Sequence, residues 1–143
     1  MKKNQGFTLV ELMIVVAIIA IIAAVAVPNL MRAKVNANET AAIGNLKGLR
    51  DAQVSYLSRT GQVAQAFTDL TTPASGPSYF DKDLSVPVSG YNYALTPIDL
   101  YSYTADATPV SAYTGTRAFH LDTGGSIHQV DGAGPATDTD PVI

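Results

Sequence analysis

Few side chains in this sequence are of a type and spacing that do chemistry. His120 and His128 are the two histidines, and they flank a Thr123-Gly124-Gly125 turn signal beside Asp122. A three-residue turn would set them across from each other, where two imidazoles and a carboxylate could ligate a metal. A solvated pair on the outer face of a sheet is the plainer expectation, and a two-residue Gly-Gly turn would put them out of register. Asp122, Asp131, Asp138 and Asp140 are oxygen ligands in type, but their spacing matches no calcium loop. The sequence has no Ser-His-Asp pattern, no phosphate-binding glycine loop and no cysteine. No catalytic residue, no metal site and no cofactor is therefore expected, and the chain reads as a non-enzyme.

The other chemically distinctive residue is Glu11. It sits in a run from Phe7 to Val27 that only Thr8 and Glu11 interrupt. A carboxylate in hydrocarbon costs on the order of 2.5–3.5 kcal/mol on insertion scales, so it needs a partner or a route to the interface. The run itself approaches the ~20 apolar residues that span a bilayer. Lys2 and Lys3 precede it, which holds that end in the cytoplasm. Two readings follow. One is a secretory signal cut after Ala24-Val25-Ala26, a small-x-small site. The other is a helix that stays attached to the protein. Ala17, Ala20 and Ala24 lie three and four apart and offer one face for close helix packing. They also read as plain small-residue filling. Pro28 closes the run, and a kink in a continuous helix is expected there.

The segment Gly6-Phe7-Thr8-Leu9-Val10-Glu11-Leu12 resembles the signal of the type IV prepilin family: a short basic leader ending in Gly, then Phe, then Glu five residues into the mature chain. The resemblance implies that a membrane peptidase cuts between Gly6 and Phe7 and that Phe7 is then N-methylated. Cleavage there leaves the apolar helix intact. Glu11 of one subunit would then pair with the Phe7 amine of its neighbour and set the register of assembly. The partners implied are further copies of the chain in a helical filament, the inner membrane before assembly, the prepilin peptidase and the pilus assembly machinery. The filament would lie at the cell surface and serve motility, adhesion or DNA uptake. The alternative within the resemblance is a pseudopilin of a type II secretion system.

Beyond Pro28 the chain turns polar. Residues 29–60 carry Arg32, Lys34, Lys47, Arg50 and Arg59 against Glu39 and Asp51, while residues 61–143 carry Lys82 and Arg117 against nine Asp. A basic stem with an acidic head lacks the clustered cations that nucleic-acid binding needs. Ile43, Leu46, Leu49 and Leu57 fall roughly on one face, which predicts an amphipathic helix to about Arg59, stopped at Thr60-Gly61. The breaker-rich stretch 61–90 predicts a loop with a short helix at 65–70. Alternation at 90–95, 100–105, 117–122 and 126–130 predicts an antiparallel meander.

The fold expected is α+β, the pilin fold: a long kinked N-terminal helix packed against a small antiparallel sheet. Its parts are a leader 1–6, an apolar helix 7–28, its amphipathic continuation 29–60, and a head 61–143. The head comprises a variable loop 61–90, a sheet 90–131 and an extended, exposed tail 132–143.

Overall fold

A computed structural model describes residues 7–132 and 134–143. They form α1 (Leu9–Thr60), α2 (Phe67–Thr71), β1 (Tyr91–Pro97), β2 (Tyr103–Pro109), β3 (Arg117–Leu121) and β4 (Ile127–Asp131). The strands make one antiparallel sheet in the order β1-β2-β3-β4. This is the α+β arrangement of a long N-terminal helix and a small meander. The chain divides into two compact units, Met1–Lys34 and Val35–Ile143.

In the first unit, the described part of α1 has no cover of its own. Its apolar side chains, Leu9, Ile14, Ile18, Ile22 and Val25 among them, are exposed. An 18-residue window of α1 reaches a mean hydropathy of 3.0 with none of it buried. Ile and Val are stiff side chains of modest helix propensity. Such residues still form helix in an apolar setting, where the backbone has no other hydrogen-bond partner. Pro28 lies inside α1, and helix is assigned on both sides of it.

In the second unit, Ala42, Leu46, Leu49 and Ala52 of α1 are buried against Tyr91, Ala105, Ala107, Phe119, Leu121 and Ile127 of the sheet. Alanines at 105 and 107 keep the sheet's inner face low where the helix approaches. The 61–90 segment is irregular apart from α2, yet Leu70, Phe80 and Leu84 complete the core. Phe80 lies over α1 at Gly48, where a Cβ would stand 2.9 Å from the ring. Gly48 is thus a close-approach glycine, whereas a Cβ on Gly44 would meet nothing within 4 Å. Gly61 ends α1 with φ +80° and donates its N–H to the Leu57 carbonyl at 2.8 Å. That left-handed cap is what Gly permits without penalty.

Two segments depart from the sequence reading. β2 begins at Tyr103, not at Leu100. The Asp99 carboxylate accepts the Tyr101 and Ser102 N–H groups at 2.7 Å each, and the Leu100 carbonyl accepts the Val63 N–H. Those bonds make a turn of residues whose alternation reads as strand. The tail also folds back instead of standing free. The Gln129 N–H donates to the Pro141 carbonyl, and the Ile143 N–H donates to the Ile127 carbonyl, both at 2.9 Å. Val142 bridges His128, and Ala136 is only 3% exposed. The tail therefore covers the free edge of β4, the standard solution to an unpaired strand.

Candidate functional site

The N-terminal end of α1 carries the residues singled out by sequence. Gly6 lies outside the described residues. Phe7 is 83% exposed. Thr8 precedes the first helical residue and Glu11 stands three further on, the arrangement of a capping box. The Thr8 N–H and hydroxyl donate to Glu11 Oε2 at 2.9 and 2.7 Å. The Glu11 N–H donates to Thr8 Oγ1 at 3.2 Å. Glu11 therefore satisfies two donors of the helix terminus within its own chain. Among the described residues, Oε1 accepts no hydrogen bond. No bond joins Glu11 to Phe7 among them either. The signal for this cap, Thr-x-x-Glu before an apolar run, is present in the sequence at Thr8 and Glu11.

Ala17, Ala20, Ala24 and Pro28 all lie on α1 and are exposed. The spacing of the three alanines leaves a face without bulky side chains between flanking Ile and Val. An exposed run of this kind demands a cover, since each large apolar side chain gains about 1.5–3 kcal/mol on full burial. The chain can do two things with it: insert it into a bilayer, or lay it against like helices.

A second polar group, invisible in the periodicity, fastens α1 to the sheet. Glu39 is 2% exposed. Its Oε1 accepts the Thr116 N–H at 2.9 Å and the Thr116 hydroxyl at 2.8 Å. Its Oε2 accepts Arg117 Nε at 2.9 Å and Nη2 at 2.7 Å. Burial pushes the Glu39 pKa up, but these donors outweigh it and hold the carboxyl below its ordinary value. Asn45 ties α1 to β1 and Gln53 ties it to the segment that follows the helix. Asn45 donates to the Tyr93 hydroxyl at 2.9 Å, and Gln53 exchanges two bonds with the Ala64 backbone.

The histidines form a third group. His120 pairs with His128 across β3 and β4, because the turn Asp122–Ser126 keeps Leu121 opposite Ile127. The pair is not solvated: the side chains are 12% and 7% exposed. The expectation of a solvated pair fails because the tail lies over it. Among the described residues, no group of three or more His, Cys, Asp or Glu could hold a metal ion.

Comparison with known proteins gives this geometry a context. The model of the prokaryotic N-terminal methylation motif matches residues 1–27. The type IV major pilin protein PilA of Myxococcus xanthus is 52% identical over 56 residues, 39% of this chain and 26% of its own length. The type IV wide pilus major component of Thermus thermophilus is 48% identical over 56 residues, 39% of this chain and 43% of its own. This chain thus spans less than half the length of either relative. The type II secretion system core protein G of Pseudomonas aeruginosa is 33% identical over 122 residues, 73% of this chain and 86% of its own. No solved structure matches the chain. A methylation motif at the start of an uncovered apolar helix, joined to a helix-and-meander head, places this chain in the pilin family of type IV pilins and type II secretion core protein G.

Proposed function

We propose that the chain is a structural subunit of a type IV pilus, with no catalytic activity of its own. The observation that carries the reading is the exposed apolar stretch of α1 with Glu11 in its first turn, directly after the expected cleavage point. The subunit waits in the inner membrane on this helix. Removal of 1–6 between Gly6 and Phe7 by the prepilin peptidase, followed by methylation of Phe7, leaves a terminal amine four residues before Glu11. The pilus assembly machinery then transfers the helix from lipid to a bundle of like helices. Both settings cover the same apolar surface, so the transfer needs little net hydrophobic gain. Ala17, Ala20 and Ala24 supply the close-packing face, and Pro28 the point where the helix bends.

Glu11 gives the bundle its register. Its Oε2 is held by Thr8, which fixes the side chain in place, and Oε1 takes the Phe7 amine of the next subunit. A charge-assisted bond of this kind in a dry setting contributes about 1.5–3 kcal/mol, enough to reject a wrong register by tenfold or more. The test is Glu11→Ala and Glu11→Gln, with sheared filaments counted and processing followed by mass. Glu11→Ala is expected to be processed while filament yield falls about tenfold or more, and Glu11→Gln is expected to be intermediate. Normal yield with Glu11→Ala would remove Glu11 from assembly.

A second reading is a pseudopilin of a type II secretion system, favoured by the match to core protein G over most of that protein's length. Restoration of protein secretion, rather than of surface filaments, in a strain lacking its own core protein G would select it.

A further inference from the structure

The sheet's outer face carries an arrangement that filament formation does not require. The register aligns Ala94, Asp106, His120 and His128 across the four strands, with Val142 of the tail beside His128. His128 Nδ1 faces the Asp140 carbonyl oxygen at 2.7 Å, and Nε2 faces Asp122 Oδ2 at 3.0 Å. A carbonyl oxygen only accepts, and an ionised carboxylate only accepts. Both nitrogens of His128 must therefore carry protons for both bonds to stand. His120 faces Asp106 Oδ1 at 2.7 Å through Nδ1 and Asp138 Oδ1 at 2.8 Å through Nε2. Each histidine thus joins the sheet to the tail: His120 from β2 to Asp138, His128 from the β3–β4 turn to Asp140.

We propose that residues 136–143 are a strap held over the sheet by the bonds of His120 and of a doubly protonated His128, closed at acidic to neutral pH and loosened at the β4 edge when His128 loses one proton and with it one of its two bonds. The charged or titratable groups around His128 are Asp122 on the turn, Asp138 and Asp140 on the tail, and His120 on β3, with Asp106 on β2 behind His120. The Asp140 carboxylate itself is turned to the Thr137 N–H and hydroxyl, at 2.7 and 3.0 Å, so only its backbone carbonyl meets the imidazole.

The direction follows from the bonds. The Asp140 carbonyl and then the Asp122 carboxylate raise the His128 pKa above its ordinary 6.5. A raised value means stabilisation that is complete below 6.5 and is lost as pH rises through the folded pKa. Asp122 sets the other limit. Desolvation pushes its pKa up, but His128 and the Ser126 and Gly124 N–H groups outweigh this and lower it below 3.8. Its contribution is present above 3.8 and is lost as pH falls through the lowered value. The strap is closed between those limits. Opening frees the Gln129 N–H and the Ile127 carbonyl, a pairing edge on β4.

The test is amide hydrogen exchange of the full chain in detergent micelles from pH 5 to 9, corrected for intrinsic rates, with His128 titrated by nitrogen NMR. Protection at Gln129 and Ile143 is expected to fall about tenfold or more across the His128 titration, the loss expected for roughly one charge-assisted bond. Asp122→Asn should move that transition to lower pH. His128→Asn keeps a donor toward Asp140 that does not titrate, and should abolish the transition. Protection that stays constant while His128 titrates would overturn the proposal. So would a transition unmoved by Asp122→Asn. Should His128→Asn fail to fold, the wild-type titration and Asp122→Asn decide the matter alone.

Discussion

At the residue scale, the informative side chains are the polar ones set where apolar residues are the rule. Glu39 occupies a position on the core-facing stripe of α1 and is satisfied by Thr116 and Arg117. The Arg117 side chain is 35% exposed, so it keeps water when its partner goes, and Thr116 bears most of the loss. Glu39→Ala is expected to destabilise the detergent-solubilised chain by about 1–3 kcal/mol in thermal or urea unfolding. Its pH signature has the carboxylate sign. The Glu39 contribution is full above 4.5 and is lost as pH falls through the lowered folded value, so the Glu39→Ala deficit should shrink in acid. A deficit independent of pH would deny the carboxylate its role. Glu11 obeys the same rule: its own Thr8 covers one oxygen, and in the proposed filament the Phe7 amine of the next subunit covers the other.

At the element scale, local pattern and long-range contact divide the structure between them. The apolar run, the helix stop at Gly61 and strands β1, β3 and β4 were legible because periodicity and turn residues report on neighbours in sequence. β2 was legible only approximately, since Asp99 recruits Tyr101 and Ser102 into a turn that alternation alone does not reveal. The folded-back tail was not legible, because its partners on β3 and β4 are distant in sequence. The two glycines of the stem show the same division. Gly44 and Gly48 are alike in their local setting, four apart in α1, while the structure puts the Phe80 ring at Gly48 alone. Gly44→Ala is expected to stabilise the chain by about 0.5–1 kcal/mol through helix propensity. Gly48→Ala should gain less, or lose, because Phe80 must move. Equal gains in thermal unfolding would contradict the placement of Phe80. Leu46→Ala or Leu49→Ala, by contrast, opens a cavity in the helix–sheet core and should cost about 2–5 kcal/mol.

At the scale of the whole molecule, the two units treat their apolar surface in opposite ways. The head closes its own core, pairs its own β4 edge and satisfies the polar groups it buries: among the described residues, no buried side-chain N or O lacks a hydrogen-bond partner. The N-terminal half of α1 does the opposite and leaves its apolar surface uncovered. Cleavage decides what that surface becomes. A cut at Gly6 keeps the helix and commits the subunit to lipid or to its own kind, whereas a cut after Ala26 discards it and frees the head. The most direct measurement is the N-terminus and intact mass of the chain recovered from sheared surface filaments. A chain beginning at N-methylated Phe7 is the result predicted. A soluble monomer beginning at Val27, with no filaments containing the chain, would contradict the account.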